Sequence, residues 1–192
     1  MAETDTQGEE QAAEEAAAAK PKKRISKRKA VEEHARSYFD ALAKRDVEAM
    51  AEHLSTDVVE DVVPVGVLRG PAEIKAFFAD LFAAVPNLET TVHRVVSDDR
   101  VAAVEWRMAG DFTGGPFQGI DPTGRRVEVR GLDVLEVEDG KITSNTAYYD
   151  GASFARQVGM LPPLDSGTER AMKGAFNAVT KLRRTISERK EP

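Results

Sequence analysis

The chain has 192 residues, with no cysteine, one tryptophan and three histidines. Because cysteine is absent, disulfide bonds and thiolate chemistry are excluded, and a cytoplasmic location is the expectation. The histidines show no metal-ligand spacing, so a bound metal ion is not expected. No stretch is apolar over the length of a transmembrane helix and no hydrophobic segment follows Met1, so neither a membrane span nor a signal peptide is expected.

Charge is distributed unevenly around a net value of -6. Residues 1–19 are rich in alanine and glutamate and lack aromatic side chains, whereas residues 20–29 hold seven lysines and arginines. Such a segment buries too little apolar surface to fold alone, so residues 1–29 are predicted to be a solvated, disordered tail. The alternative is an electrostatic arm for nucleic acid or an anionic membrane. Sequence-specific nucleic-acid binding is not expected, because no aromatic residues interleave with the basic ones.

Length and a hydrophobic content of 41% fit one domain, predicted over residues 30–163. Apolar residues spaced by three and four predict helices, and β-branched or alternating runs predict strands. The predicted helices cover residues 30–45, 47–54, 70–85 and 152–158, and the predicted strands cover residues 58–65, 88–96, 101–112, 127–137 and 142–149. A basic amphipathic helix within residues 164–192 is expected to pack against the domain or a second subunit. Contact with a membrane surface or a partner protein is the alternative.

The last two predicted strands flank an Asp139-Gly140 turn, which is a strong hairpin signal. In the first of them alternate residues form an apolar face, and Asp133 is the polar member of that face. The inner row of the second strand is assigned as Ile142, Ser144, Thr146, Tyr148 and Asp150. Polar groups on the inner face of a curved sheet indicate a cavity rather than a solid core.

Two earlier strands supply further candidates for this cavity. Trp106 and Phe112 share the apolar face of their strand, so they are placed inside as flat walls for a ring-bearing ligand. Glu60 and Asp61 lie on opposite faces of theirs, so one carboxylate is expected to point inward. Asp61 is the candidate for the pocket mouth, and the alternative, which the alternation does not decide, is that it faces water.

A set of short motifs follows the same order as the elements. The motifs are Gly70 with Ile74, Val85-Pro86-Asn87-Leu88, Trp106, Gly110 and Gly114, Phe117 and Gly119, Pro122-Thr123-Gly124, Asp139-Gly140-Lys141-Ile142, Asp150, and Gln157-Val158-Gly159. Over about residues 30–163 the chain thereby resembles the SnoaL-like polyketide cyclase (ester cyclase) family of the nuclear transport factor 2-like superfamily. The resemblance implies an α+β fold, in which a cone-shaped, curved, antiparallel-rich sheet wraps around a pocket and is covered by N-terminal helices. It also implies a homodimer, and catalysis without metal or cofactor.

In that family an aspartate at the end of the last strand is the acid/base of an intramolecular aldol ring closure, and Asp150 stands at that position. Enclosure by aromatic rings is expected to raise its pKa toward that of a general base, with Asp133 sharing the proton. The expected substrate contacts are Trp106, Phe112, Tyr148, Thr146 and Asp61. The alternatives are that Asp150 only caps the following helix and that Asp133 is only a hydrogen-bonded structural residue.

These observations predict a small-molecule pocket protein that acts as a cyclase or isomerase-like lyase on a polyketide-like or other hydrophobic carbonyl compound. A non-catalytic ligand-binding protein of the same fold is an alternative, because Asp111-Phe112 stands where the family has Thr-His. A dimeric scaffold that contacts a membrane or a protein through its basic tails is a third hypothesis.

Overall fold

The computed structural model describes residues 26–188, which form five helices and six strands. The helices are α1 (residues 26–43), α2 (Val47–Glu52), α3 (Gly70–Ala84), α4 (Gly151–Val158) and α5 (Gly167–Glu188). The strands are β1 (Leu54–Val63), β2 (Gly66–Arg69), β3 (Glu89–Ser97), β4 (Val101–Asp111), β5 (Arg126–Glu138) and β6 (Lys141–Tyr149).

The six strands form one curved, mixed sheet in the order β2-β1-β6-β5-β4-β3. All neighbouring pairs are antiparallel except β1 and β6, which are parallel. The α+β architecture and the antiparallel-rich sheet predicted from the sequence are therefore confirmed. Because β1 and β6 lie side by side in the sheet, residues far apart in sequence meet on its inner face.

Local sequence accounts for where the helices begin and end. Asp46 caps α2 by accepting a hydrogen bond from the backbone N–H of Ala49. Pro71 lies in the first turn of α3, where its missing N–H costs no helical hydrogen bond. Gly159 ends α4 in the left-handed conformation, at φ 92°.

The core lies between the inner face of the sheet and the apolar sides of α1 and α3. From α1, Tyr38 and Phe39 are each 1% exposed. From α3, Ile74, Phe78 and Phe82 are buried at helical spacing. The helices thereby close the sheet from one side, as two packed layers require.

The first strand differs from its prediction at both ends. β1 begins at Leu54 rather than at residue 58, because Leu54 already pairs with Ile142 of β6. A further short strand, β2, follows a tight turn and was not predicted. Helix α1 already covers residues 26–29, which were assigned to the tail, while residues 1–25 lie outside the described chain.

A β-bulge in β6 reverses the predicted alternation of that strand. Two consecutive residues of β5, Glu136 and Val137, pair with Ser144 and Ile142 of β6. Thr143, which lies between those two partners, is therefore an extra residue on β6. One extra residue shifts the following side chains to the opposite face. Consequently Asn145 and Ala147 are buried inside. The predicted inner row is right at Ile142 and wrong from Ser144 onward.

Helix α5 extends past the domain as the predicted C-terminal amphipathic helix. Its first turn is buried at Glu169, and residues 170–184 are exposed. Of the helices in residues 26–188, none combines the length and the apolar composition that crossing a bilayer requires.

Candidate functional site

A cavity lies between the inner face of the sheet and helices α1 and α3. Its volume is about 100 Å³. Aromatic and aliphatic side chains form most of its wall, among them Phe39, Phe78, Trp106, Phe112 and Met108. The interior is therefore hollow and mostly apolar, as predicted, and Trp106 and Phe112 line it.

Asp133 of β5 supplies one of the two carboxyl groups in the cavity wall. Its two oxygens accept separate hydrogen bonds, from Nε1 of Trp106 at 2.7 Å and from Nδ2 of Asn145 at 2.9 Å. The side chain is buried, at 5% exposure. Two fixed donors and a rigid strand hold this carboxyl group in one orientation, and each oxygen keeps a lone pair for a further proton.

Glu60 of β1 supplies the second carboxyl group and is 1% exposed. It lies opposite Asn145 in the β1–β6 register, while Asp133 lies opposite Ala147 in the β5–β6 register. The two acidic residues thus flank β6 from either side. Because Ala147 has only a methyl group, it leaves room for both side chains above β6.

Burial and proximity give these carboxyl groups unusual pKa values. Burial raises the pKa of Glu60 to about 8, and the neighbouring Asp133 adds to the increase. Burial also raises the pKa of Asp133, to about 6, against hydrogen bonds from Asn145 and Trp106 that favour its anion. At neutral pH the pair therefore holds about one proton, mostly on Glu60, and titrates as a coupled unit.

Tyr38 of α1 completes the polar cluster. Its pKa is raised well above its usual value by burial and then by the charges of Glu60 and Asp133. Within the described residues, the hydroxyl of Tyr38, Oε2 of Glu60 and Oδ1 of Asn145 are buried without a hydrogen-bond partner. Unpaired polar atoms in an apolar interior are costly, so their concentration here marks a site for a polar group.

Asp150 does not lie in this cavity, and the prediction that aromatic rings enclose it is wrong. It is exposed, and its side chain caps α4 by accepting from the N–H of Ser153 at 2.9 Å. Tyr148 is 50% exposed, and it lies with Asp150 along a groove on the outer face of the sheet. Thr146 shares the parity of Tyr148 and also faces away from the cavity. The bulge at Thr143 explains all three placements.

The inward carboxylate of β1 is Glu60, not Asp61. Glu60 shares its face with Val58 and Val62, both buried, whereas Asp61 lies on the other face and does not line the cavity. The apolar parity of Val58 and Val62 could have identified Glu60. Asn145 carried no such signal, because its position depends on the bulge.

The cavity mouth has its own polar pair. Gln118, in the loop after β4, hydrogen-bonds the hydroxyl of Tyr149, and both side chains line the cavity. Phe117 of the same loop packs on Phe77 of α3 with ring centroids 5.5 Å apart. Tyr149 follows Ala147 by two residues on β6, so this pair lies about 7 Å along the strand from the carboxyl groups.

The fold and sequence match known proteins. A family model described as SnoaL-like polyketide cyclase matches residues 32–158. A candidate SnoaL-like polyketide cyclase from Jannaschia sp. CCS1 superposes with a TM-score of 0.64 at 22% identity, over 70% of this chain and 95% of that one. IdmH, a candidate polyketide cyclase from Streptomyces antibioticus, gives 0.57 at 22% identity, over 66% and 96%. A candidate ketosteroid isomerase from Kribbella flavida DSM 17836 gives 0.51 at 24% identity, over 64% and 79%. A comparison with curated protein sequences gives no match.

Proposed function

We propose that this chain, which belongs to the SnoaL-like polyketide cyclase family, catalyses proton transfer at a carbon next to a carbonyl group of a ring-bearing apolar compound. The observation that carries the proposal is the Asp133 carboxyl group, fixed by two hydrogen bonds in the wall of an apolar cavity beside Glu60, a second buried carboxyl group. The catalytic carboxyl group is thus assigned to Asp133, and Asp150 is replaced in that role.

Asp133 is suited to act as the general base. With a pKa of about 6 it is mostly ionised at neutral pH, yet it is basic enough to take a proton from a carbon acidified by an adjacent carbonyl. Trp106 and Asn145 orient it and stabilise its anion. The apolar wall excludes water, which strengthens each electrostatic interaction in the cavity.

Glu60 is suited to act as the general acid. With a pKa of about 8 it is mostly protonated at neutral pH, so it can donate a hydrogen bond to the carbonyl oxygen of a bound compound. Negative charge develops on that oxygen when the neighbouring C–H bond breaks. Two carboxyl groups with separated pKa values thereby divide the base and acid roles between them.

The same first step supports two outcomes. Asp133 takes the proton from the α-carbon, and the electron pair of the C–H bond forms an enolate whose oxygen accepts a hydrogen bond from Glu60. If the proton returns to a different carbon, the product is an isomer. If the enolate carbon instead attacks a second carbonyl of the same molecule, a C–C bond closes a ring, and the resulting alkoxide takes the proton that Asp133 holds, which returns Asp133 to its anion.

The test uses 2-tetralone, a bicyclic apolar ketone with acidic α-protons. In deuterated buffer, NMR follows the loss of its α-protons, and we expect the wild-type protein to accelerate the exchange. Asp133→Asn removes the base and should lower the catalysed rate roughly 100-fold or more. Asp150→Asn, on the outer face, is the matched control and should retain the wild-type rate. Equal rates in wild type and Asp133→Asn contradict the proposal.

Binding is measured separately. Trp106 is the sole tryptophan and lines the cavity, so its fluorescence reports ligand entry. Quenching by 2-tetralone in wild type and Asp133→Asn alike, together with exchange in wild type alone, supports catalysis by Asp133. Quenching without any acceleration of exchange would instead identify a non-catalytic binding protein.

The dependence of exchange on pH tests the division of roles. Because the base must be ionised and the acid protonated, the rate is expected to be bell-shaped, with limbs near pH 6 and pH 8. Glu60→Gln keeps a neutral hydrogen-bond donor and removes the titration, so its profile should lose the alkaline limb. Retention of that limb in Glu60→Gln contradicts the assignment of Glu60 as the acid.

A further inference from the structure

Helix α5 lies beyond the residues that the family model matches and carries an exposed apolar surface. Residues 170–184 are exposed throughout. The apolar side chains, each 47–70% exposed, are Met172, Phe176, Val179, Leu182 and Ile186. A contiguous exposed surface of this kind marks an interaction site.

The arrangement of charge on α5 complements an anionic surface. At 3.6 residues per turn the five apolar side chains fall on one arc, and Arg170, Lys173 and Lys181 fall on the opposite side. The helix holds five basic and two acidic residues, a net charge of +3, in a chain whose total is -6. Positive charge is therefore concentrated on the same element that exposes the apolar arc.

The beginning of α5 is fixed to the domain. Ser166 Oγ accepts from the N–H of Glu169, and Glu169 in turn accepts from the N–H of Asp165 at 2.8 Å, in the manner of a capping box. Arg156 of α4 lies 3.7 Å from the Glu169 carboxylate. The exposed part of the helix thus starts from an anchored first turn.

We propose that α5 is a membrane-surface helix that lies in the interface of an anionic lipid bilayer. The apolar arc, in which Phe176 and Leu182 are the most exposed side chains, enters the boundary between headgroups and acyl chains. The basic side chains contact lipid phosphates. Its 22 residues give a length of about 33 Å in the plane of the membrane. An amphipathic helix of this composition binds the surface and does not span the bilayer.

Arg183 favours lipid over a second copy of the chain. On the helical wheel it falls within the apolar arc, between Val179 and Phe176. In a seam between two copies its guanidinium would be buried against a helix of the same net charge, which is costly. At a lipid surface its long side chain reaches the phosphates while its methylene groups stay in the apolar layer.

The test is flotation of the full chain with vesicles of phosphatidylcholine, with and without phosphatidylglycerol. We expect binding to the anionic vesicles only, and weaker binding at high sodium chloride concentration. The variant Phe176→Ser with Leu182→Ser removes the centre of the arc without changing charge. Its partition coefficient should fall at least about tenfold.

The matched control is Asn177→Ser with Thr180→Ser, two changes on the polar side of the same helix, which should bind like wild type. Sedimentation equilibrium of both variants reports the oligomeric state. Equal partition of wild type and the Phe176/Leu182 variant overturns the proposal, because binding would then arise from other basic residues. Absence of vesicle binding, or a change of oligomeric state in the Phe176/Leu182 variant alone, assigns the arc to a protein partner and overturns it too.

Discussion

At the scale of single residues, Trp106 has two roles, because it lines the cavity and also holds the proposed catalytic carboxyl group in place. Its ring lines the cavity while its indole N–H donates to Asp133. Across the sheet, Gly131 of β5 pairs directly with Trp106 of β4. The missing side chain at Gly131 is what lets the indole lie flat against β5, because a Cβ there would overlap Cζ2 of Trp106.

Gly131→Ala should therefore displace the indole and weaken its hydrogen bond to Asp133. Overpacking of this kind costs about 1–3 kcal/mol in the free energy of unfolding. We expect that loss in urea denaturation, a changed Trp106 fluorescence spectrum and slower α-proton exchange. Gly115→Ala is the control, because a Cβ at Gly115 meets nothing within 4 Å. Identical spectra for Gly131→Ala and wild type would refute the close contact.

Helix α4 shows what Asp150 does at the scale of an element. Its side chain accepts from the N–H of Ser153, in the first turn of the helix, and Gly159 ends the helix. Gln157, in its last turn, hydrogen-bonds both backbone groups of Glu128 on β5. The helix thereby connects the end of β6 to β5. Asp150 stabilises this helix through its cap.

Asp150→Ala should remove the cap and lower the free energy of unfolding by about 1 kcal/mol. Asp150→Asn retains an acceptor and should cost much less. Both variants should exchange the α-protons of 2-tetralone at the wild-type rate, because Asp150 lies outside the cavity. A large loss of exchange in Asp150→Asn with unchanged stability would return the catalytic role to Asp150.

The same elements show how far the sequence predicts the site. Alternation in β4 and β5 places Trp106, Phe112 and Asp133 inside, and the structure agrees because these two strands pair without a register shift. The inner row of β6 was misassigned because a single extra residue, Thr143, is invisible in an alternating pattern of small polar side chains. A bulge depends on how a strand pairs with its neighbours, and the pairing of β6 with β1 also shifts register at this point, between Leu54 and Val59.

At the scale of the whole molecule, two carboxyl groups are buried in a mostly apolar interior, and this affects the free energy of unfolding. Glu60 and Asp133 are among the few buried charged side chains of the described chain, and each is stabilised in its neutral form by burial. Such groups lower stability whenever they must ionise inside the protein. The homodimer expected from the sequence stays a prediction, and Val96, Leu132 and Tyr148 are exposed apolar residues on the outer sheet face that it would cover.

Global stability should consequently fall as pH rises from about 5 to 8. The folded protein keeps a proton on Glu60 up to about pH 8, whereas the unfolded chain releases it near 4.5. Between these values the folded state binds more protons, so the free energy of unfolding decreases with pH, by a few kcal/mol for Glu60. Glu60→Gln removes this dependence and should be more stable than wild type at pH 9, with little difference near pH 4.5. Urea denaturation at a series of pH values measures the free energy of unfolding of each variant. The control is Glu105→Gln, on the exposed face of β4. Parallel stability curves for Glu60→Gln and wild type would show that Glu60 is not protonated in the folded protein.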